Sequence, residues 1–324
     1  MTGPPVPDVV AVLGPTGVGK TEIAVRVAEA LGGEVVVADS RQVYRGLEIA
    51  TNKPSPEQRS RARFHMIDLV DPGESYDVHR YVAAARRAIA GLAARGRPVI
   101  LEGGTGLYVD ALLDGFALSG VGARPARRRE LRRRSTPELA EMVRRLDPDA
   151  RLDFANPVRL VRAIEVLEVT GRPLAASRGR RQPPSWRIWR IGLDAPRADL
   201  HRRLAERVES QLARGLVEET ARALAEGVPE DAPSLTGIGY AESRRRLRGE
   251  LEEALLAAAM RSSNRRYAKR QATWLRRDRR IRWFQIDPDP LTAILGYLRQ
   301  GLPEAARQDA SRDARHELEE PVPS

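Results

Sequence analysis

The sequence predicts an α/β protein, a parallel-sheet core flanked by helices and interrupted by an all-helical insertion domain. Three observations predict it. Short apolar runs that stop at glycine or aspartate alternate with amphipathic segments before Leu101, and such alternation implies helical crossovers and a parallel sheet buried on both faces. A glycine-rich segment joins the first apolar run to the first helix, the setting of a phosphate-gripping P-loop, so the core is predicted to be a P-loop parallel-sheet core. From about Ala126 to Gln182 the strand signal vanishes and only helical segments remain.

Element by element, Val9-Val-Ala-Val-Leu13 reads as the first strand because it is uniformly apolar and closes at Gly14. A helix is predicted from about Gly19 to Leu31, and Glu34-Val-Val-Val-Ala38 repeats the buried-strand signal before Asp39. Asp77–Arg95 places Val78, Val82, Ala85, Ile89 and Leu92 at helical spacing, and it is closed by Gly96 and followed by a strand at Pro98-Val-Ile-Leu101. The insertion is predicted to hold helices at Arg127–Arg134, Pro137–Leu146 and Pro157–Thr170, the last stopped by Gly171 and Pro173. Strand character returns at Arg187–Leu193, long helices follow at Ala198–Arg214, Leu216–Ala225 and Leu251–Asp278, and a strand at Ile281–Ile286 precedes a helix near Leu291–Gln300. The resulting division is a disordered N-terminus (1–8), the first part of the core (9–125), the helical insertion (126–186), the second part of the core with a basic helix (187–301) and a disordered acidic tail (302–324).

The chain has 324 residues, against about 150 per domain, so it holds two domains or one carrying an insertion. It contains no cysteine, which excludes disulfides, thiolate nucleophiles and thiolate metal sites, and its four histidines lie too far apart in sequence for a paired metal motif. No apolar run approaches the roughly 20 residues of a membrane span, and residues 1–8 lack the features of a leader peptide; a cytoplasmic, monomeric protein is expected. The formal net charge of +11 calls for a polyanionic partner. That charge is concentrated: Arg124–Arg134 carries +6, Arg159–Arg190 carries +6 and Arg261–Arg282 carries +9. Of 55 basic residues only Lys20, Lys53 and Lys269 are lysine, which suggests places that need a compact ammonium rather than a guanidinium fork.

Gly14-Pro15-Thr16-Gly17-Val18-Gly19-Lys20-Thr21 fits G-x-x-x-x-G-K-[ST]. Its glycines let backbone N–H groups curl round a phosphate, the helix N-terminus adds about half a positive charge, Lys20 neutralises bridging oxygens and the Thr21 hydroxyl reaches Mg2+. The loop senses a di- or triphosphate, not adenine. Asp39-Ser40 ends the second strand, where its carboxylate faces the same crevice, either as a base or acceptor for a substrate N–H or as the cap of a turn. Gly103-Gly-Thr105-Gly-Leu-Tyr108 follows the third strand, where many P-loop enzymes carry a Walker-B aspartate; here Glu102 or nothing takes that role, and Thr105 either caps the next helix or donates to a ligand. Basic pairs at 265/266, 269/270, 276/277 and 279/280 fall on one helix face, a stripe that like-charge repulsion of about 0.2–0.5 kcal/mol per pair leaves in need of an external anion.

These motifs, with Asp39-Ser-Arg-Gln-Val-Tyr44 running on to Thr51-Asn-Lys53-Pro54, then Phe64-His-Met-Ile-Asp68, Asn156-Pro-Val-Arg-Leu-Val-Arg162, Gly237-Ile-Gly-Tyr240 and Arg266-Tyr-Ala-Lys-Arg-Gln-Ala-Thr-Trp274, resemble in this order those of the tRNA dimethylallyltransferases. The likeness spans about Val9 to Trp283. It implies transfer of a dimethylallyl group from dimethylallyl diphosphate to N6 of the adenosine just 3′ of the tRNA anticodon, with release of diphosphate. The resemblance further implies that Gly14–Thr21 binds the diphosphate with Mg2+ and that Asp39 accepts from the adenine amine. It implies that Ser40, Arg41 and Gln42 touch a flipped nucleotide and that Thr105 contacts substrate. Val158, Arg159, Leu160, Val161, Arg162, Gly237, Gly239, Tyr240 and Lys269 would contact the anticodon stem-loop, and Arg270 with Lys20 would offset diphosphate charge. The chain departs from the family at Arg124-Pro125, where an aspartate is common.

The residues fit this chemistry. An allylic diphosphate ionises to a resonance-stabilised cation, so the protein must mainly hold the leaving group and aim the nucleophile. No Asp-rich Mg2+ box of the other isoprenoid enzymes occurs, since Asp287-Pro-Asp-Pro290 lacks its spacing, and the P-loop must substitute. An anticodon-loop adenine is reached by base flipping, and a basic helical insertion suits a tRNA clamp. The main rival is a P-loop nucleotide or small-molecule kinase, which has no use for the late basic helix. An RNA-binding NTPase or a non-catalytic tRNA-binding module is a further rival, but the segment after the third strand offers no convincing Walker-B carboxylate.

Overall fold

A computed structural model describes residues 8–115, 119–122, 124–177 and 183–300. In chain order they form β1 (Asp8–Leu13), α1 (Lys20–Leu31), β2 (Glu34–Ala38), α2 (Pro56–Arg61), β3 (Phe64–His65), α3 (Val78–Ala94), β4 (Val99–Gly103) and α4 (Gly106–Leu113). There follow α5 (Pro125–Leu131), α6 (Thr136–Leu146), α7 (Pro157–Thr170), β5 (Arg187–Asp194), α8 (Arg197–Ala213), α9 (Leu216–Ala225), a 3₁₀ turn at Pro233–Thr236, α10 (Tyr240–Leu247), α11 (Glu253–Leu275), β6 (Arg282–Gln285) and α12 (Leu291–Arg299).

The strands form one sheet in the order β3-β2-β4-β1-β5-β6, parallel throughout. From β1 the chain moves to one side for β2 to β4 and to the other for β5 and β6, so the strand order reverses beside β1, where open α/β sheets bind ligands. Register makes the crevice: Leu13 and Ala38 both pair with Gly103, so β1, β2 and β4 end level. Gly14, Asp39 and Gly104 therefore leave the sheet side by side. The apolar runs of β1, β2 and β4 bury Val10, Val12, Val35, Val37 and Ile100 against Val25, Val27 and Leu31 of α1. A second cluster joins Tyr44, Leu47, Val208, Leu216, Leu235 and Met260 beneath the loop that follows β2.

The chain divides into two compact units, one within Met1–Tyr76, Ala83–Val109 and Ser185–Ser324, the other comprising Asp77–Val82 and Asp110–Pro184. Among its described residues the regular elements of the second unit are all helices. Leu131 of α5, Leu139 and Val143 of α6 and Leu160 and Ile164 of α7 make a core of its own. Its boundary differs from the 126–186 read in the sequence, because α3 and α4 each run through a boundary as one helix, with no break in periodicity to mark it. Asp8, read as the last residue of a disordered N-terminus, is the first residue of β1; the expectations for 1–7 and for the 302–324 tail lie outside the described residues.

Candidate active site

The P-loop is built from backbone geometry that only glycine adopts cheaply: Gly17 and Gly19 sit at φ +89° and +94°. The loop encloses space beside the N-terminus of α1 and is held from two sides. Gln271 of α11 accepts from Thr16 N–H at 2.8 Å and donates to Gly104 O at 2.8 Å, which links the loop to the segment after β4. Arg207 of α8 donates to Thr16 Oγ1 at 2.8 Å. Trp274 packs flat on Gly106, where a Cβ would stand 2.7 Å from the indole.

These residues line one cavity of about 800 Å³, together with Asp39, Ser40, Arg41, Gln42, Glu102, Thr105, Gly237, Tyr267 and Arg270. Thr16, Gly17, Gly19, Lys20 and Thr21 face it; Gly14, Pro15 and Val18 do not. Their expected contact with diphosphate is corrected to a shaping role. Val18 is 1 % exposed, and Pro15 O accepts from Val18 N–H at 3.3 Å and from Lys20 Nζ at 3.1 Å.

At the end of β2, Asp39 Oδ1 accepts from Arg41 N–H at 2.7 Å. Asp39 thus caps the turn through Oδ1 and also lines the cavity. Thr105 Oγ1 accepts from Ser40 N–H at 3.3 Å, so its hydroxyl joins the β2 and β4 ends rather than capping α4. Gln42 is 6 % exposed; its amide donates to Asn52 O at 3.4 Å and its Oε1 has no partner. Burial and the nearby Asp39 carboxylate push the Tyr267 hydroxyl up to about 12.

The ionisable groups around the loop are pushed toward neutrality. Burial lowers the pKa of Lys20 despite Glu102 and Asp39, and burial lowers that of Arg207. Burial raises that of Glu102, against the opposing pull of Lys20. A bound anion would restore the charged forms of the cations by supplying the missing counter-charge. Of the two alternatives read for the place after the third strand, Glu102 or nothing, Glu102 is at hand: it lines the cavity and accepts from Thr21 Oγ1 at 3.4 Å.

Other expected contacts are redistributed. Tyr240 touches the cavity, but its hydroxyl donates to Glu219 Oε1 at 2.5 Å, and that carboxylate also accepts from Glu48 and Ile49 N–H. The Tyr240 hydroxyl therefore serves as a buried prop. Gly239 lies off the cavity at φ +95°, with Ala50 Cβ 2.8 Å from where its own would stand. Leu160 and Val161 belong to the helical core, at 0 % and 5 % exposure, which rules them out as surface contacts. Arg162 donates to Ser119 and Val121 and faces Glu165, while Val158 and Arg159 are exposed. Lys269 is exposed and off the cavity, whereas Arg270 reaches it with its guanidinium 5.6 Å from the Tyr267 ring. α11 ends at Leu275, so Arg276 to Arg280 leave the expected stripe; Arg276 pairs with Asp194 at 2.9 Å and Arg280 with Asp278 at 2.7 Å. Of the three lysines, Lys20 and Lys53 are the two with buried ammonium groups; Lys53 bridges Glu48 and Asp68.

Sequence reasoning missed Arg207 and Gln211 of α8 and Arg214 at its C-cap, all on the cavity wall. Their i, i+4, i+7 spacing was the available signal, but alternating Glu206 and Glu209 mask it as an ordinary solvated face.

The fold and this site define a P-loop enzyme whose phosphate cradle opens on a carboxylate, Asp39, across a shared cavity. Comparison narrows the class. The family model described as IPP transferase matches residues 42–278. The tRNA dimethylallyltransferase of Thermomicrobium roseum is 41% identical, over 86% of this chain and 86% of its own. That of Anaeromyxobacter dehalogenans is 42% identical, over 92% of this chain and 99% of its own. The crystal structure of the full-length tRNA isopentenylpyrophosphate transferase of Bacillus halodurans superposes with a TM-score of 0.69 at 31% identity, covering 96% of this chain and 99% of that one. The chain belongs to the IPP transferase family.

Proposed function

We propose that this protein transfers a dimethylallyl group from dimethylallyl diphosphate to N6 of the adenosine 3′ of the anticodon in tRNA, releasing diphosphate. The observation that carries the reading is the side-by-side exit of the P-loop and Asp39 from level strand ends into one cavity. A leaving group and a nucleophile held there face each other. Family membership favours this over phosphoryl transfer by a kinase.

In this reading the N–H groups of Gly17, Gly19, Lys20 and Thr21 and the Lys20 ammonium grip the diphosphate, and Arg207 and Arg270 add cationic charge as the C–O bond breaks. The N6 lone pair forms the new C–N bond at the freed allylic carbon. As it does so the amine becomes acidic and gives its proton to Asp39. Arg41 N–H occupies Oδ1 and fixes the carboxylate, so Oδ2 is the accepting atom. Gln42 Oε1, buried and without a partner, suits a donor on the flipped base. Thr21 fits Mg2+, because its hydroxyl is a hard oxygen beside a buried carboxylate in the cavity. When bound, the ion neutralises charge on the departing diphosphate. The exposed basic face of α11, Arg265 to Lys269, and the helical unit bind the anticodon stem-loop. We place the protein in the cytoplasm as a monomer; no helix of the described residues is long and apolar enough to cross a membrane.

The test is nucleoside analysis of total tRNA from cells lacking this modification, after incubation with protein, Mg2+ and dimethylallyl diphosphate. N6-dimethylallyladenosine next to the anticodon is expected. Unmodified adenosine there would refute the reading.

A further inference from the structure

Glu102 is an unusual residue for its position. It occupies the fourth place of β4, between Leu101 and Gly103, and pairs in register with Val12 and Val37. Side chains alternate along a strand, so Glu102 shares a face with Ile100, which is in the apolar core against α1. It is 4 % exposed. A carboxylate withdrawn from water in such a place is costly unless its oxygens are satisfied.

Its own neighbours do not satisfy it. Among the described residues Glu102 forms no ion pair within 4 Å, and it accepts one long hydrogen bond, 3.4 Å from Thr21 Oγ1. Lys20, on the same turn of α1, would be the obvious counter-ion. Its Nζ is turned instead to Pro15 O at 3.1 Å. Arg207 is engaged by Thr16 Oγ1, and Asp39 is a like charge. What remains is the cavity, which Glu102 lines next to the P-loop. The missing partner is positive and comes from outside the chain.

We infer that Glu102 holds the divalent cation together with Thr21, on the diphosphate gripped by the P-loop. The inference rests on the diphosphate reading above and adds to it a residue and a role. Two hard oxygen donors are few, so most of the ion's positions stay with water and phosphate oxygens, as suits Mg2+ rather than a caged Ca2+. The carboxylate also separates two tasks. Lys20 is left free to turn toward phosphate, because Glu102 answers to the cation.

The test uses the full chain, inorganic pyrophosphate and Mn2+ as the spectroscopic stand-in for Mg2+, with free Mn2+ read by electron paramagnetic resonance. Glu102→Gln is expected to weaken Mn2+ binding in the presence of pyrophosphate by about 10- to 100-fold. Pyrophosphate binding in EDTA is expected to stay unchanged or tighten, since a negative charge beside the cradle is removed. That metal-free binding also reports that the variant is folded. Glu102→Asp, which keeps the charge but withdraws it by one methylene, is expected to fall between the two. Mn2+ affinity equal to wild type in both variants overturns the inference while leaving the diphosphate reading intact. Wild-type protein that binds pyrophosphate neither with nor without metal overturns both.

Discussion

In the helical unit, arginines end on carboxylates. Arg127 meets Glu168 at 2.5 Å and Arg128 meets Glu165 at 2.8 Å, with Glu165 itself fully buried. In the cavity at the strand ends the cations end elsewhere: Lys20 on a carbonyl, Arg207 on a hydroxyl, Arg270 near an aromatic ring. The first arrangement is complete without a ligand. The second holds cations with no carboxylate in direct contact, Lys20 and Arg207 withdrawn from water and Arg270 exposed at the rim, and an added anion completes it. The difference teaches that charge density is a poor guide to a polyanion site. Arg124–Arg134 is among the most basic stretches of the chain, yet part of it holds α5 to α7; Arg207 comes from a helix of nearly balanced charge.

The contrast can be broken most strongly at the carboxylate the cavity keeps for its substrate. Asp39→Ala should lower turnover by about a hundredfold or more, the usual scale of a lost proton acceptor, with tRNA affinity retained in filter binding. Unchanged turnover would remove Asp39 from the mechanism.

A matched pair of arginine substitutions sharpens the comparison. Arg207→Gln removes a charged donor from the cradle and should weaken pyrophosphate binding by about 1.5–3 kcal/mol, with the unfolding midpoint nearly unmoved. Arg128→Gln leaves buried Glu165 short of its partner and should cost about 1–3 kcal/mol of stability without changing pyrophosphate affinity. Calorimetry and denaturant unfolding on both proteins separate the outcomes; a crossed result would mean the two regions were misassigned.

The exposed face of α11 should show a weaker, additive effect. Replacing Arg265, Arg266 and Lys269 with glutamine should reduce the slope of log tRNA affinity against log salt by about 0.7–0.9 for each phosphate that the variant no longer neutralises. A slope identical to that of the parent would turn this face away from RNA.

The smallest effect lies in acid. In the helical unit the Ser135 hydroxyl and N–H hold Glu138 below its ordinary 4.5. Its folded-state pKa is depressed, so its contribution is present above about pH 4.5 and fades as pH falls through the folded value. Glu138→Gln should therefore lower the melting temperature slightly at neutral pH, with the gap to wild type closing in acid. Glu102 is shifted the other way by burial, so the two regions differ in the sign of their pH linkage as well.

Much of this was legible in the sequence for definite reasons. β2 and α9 occur where read, because an unbroken apolar run or a clean helical stripe closes at a residue that stops it. β3 was not, since two residues, Phe64 and His65, have no period and depend on pairing with Val35 and Val36. α2 buries no side chain and is held by the Ser55–Gln58 capping box, and α10 carries three successive arginines, so neither shows an apolar stripe. At the site, the loop and Asp39 were visible because their chemistry is local. Arg207 and Gln271 were not assigned because their roles arise from approaches between residues 191 and 255 positions apart. The basic stripe was overread past Leu275, where the helix ends and Arg276 and Arg280 turn to aspartates.

The central claim is that the cradle beginning at Gly14 holds the diphosphate of an isoprenoid donor rather than a nucleotide poised for phosphoryl transfer. Purified protein given Mg2+, total tRNA, carbon-labelled dimethylallyl diphosphate and γ-phosphorus-labelled ATP tests it in one tube. Carbon label entering RNA, with phosphorus label left on ATP, is the predicted result. Phosphorus moved to any acceptor while the RNA stays free of carbon label would contradict it.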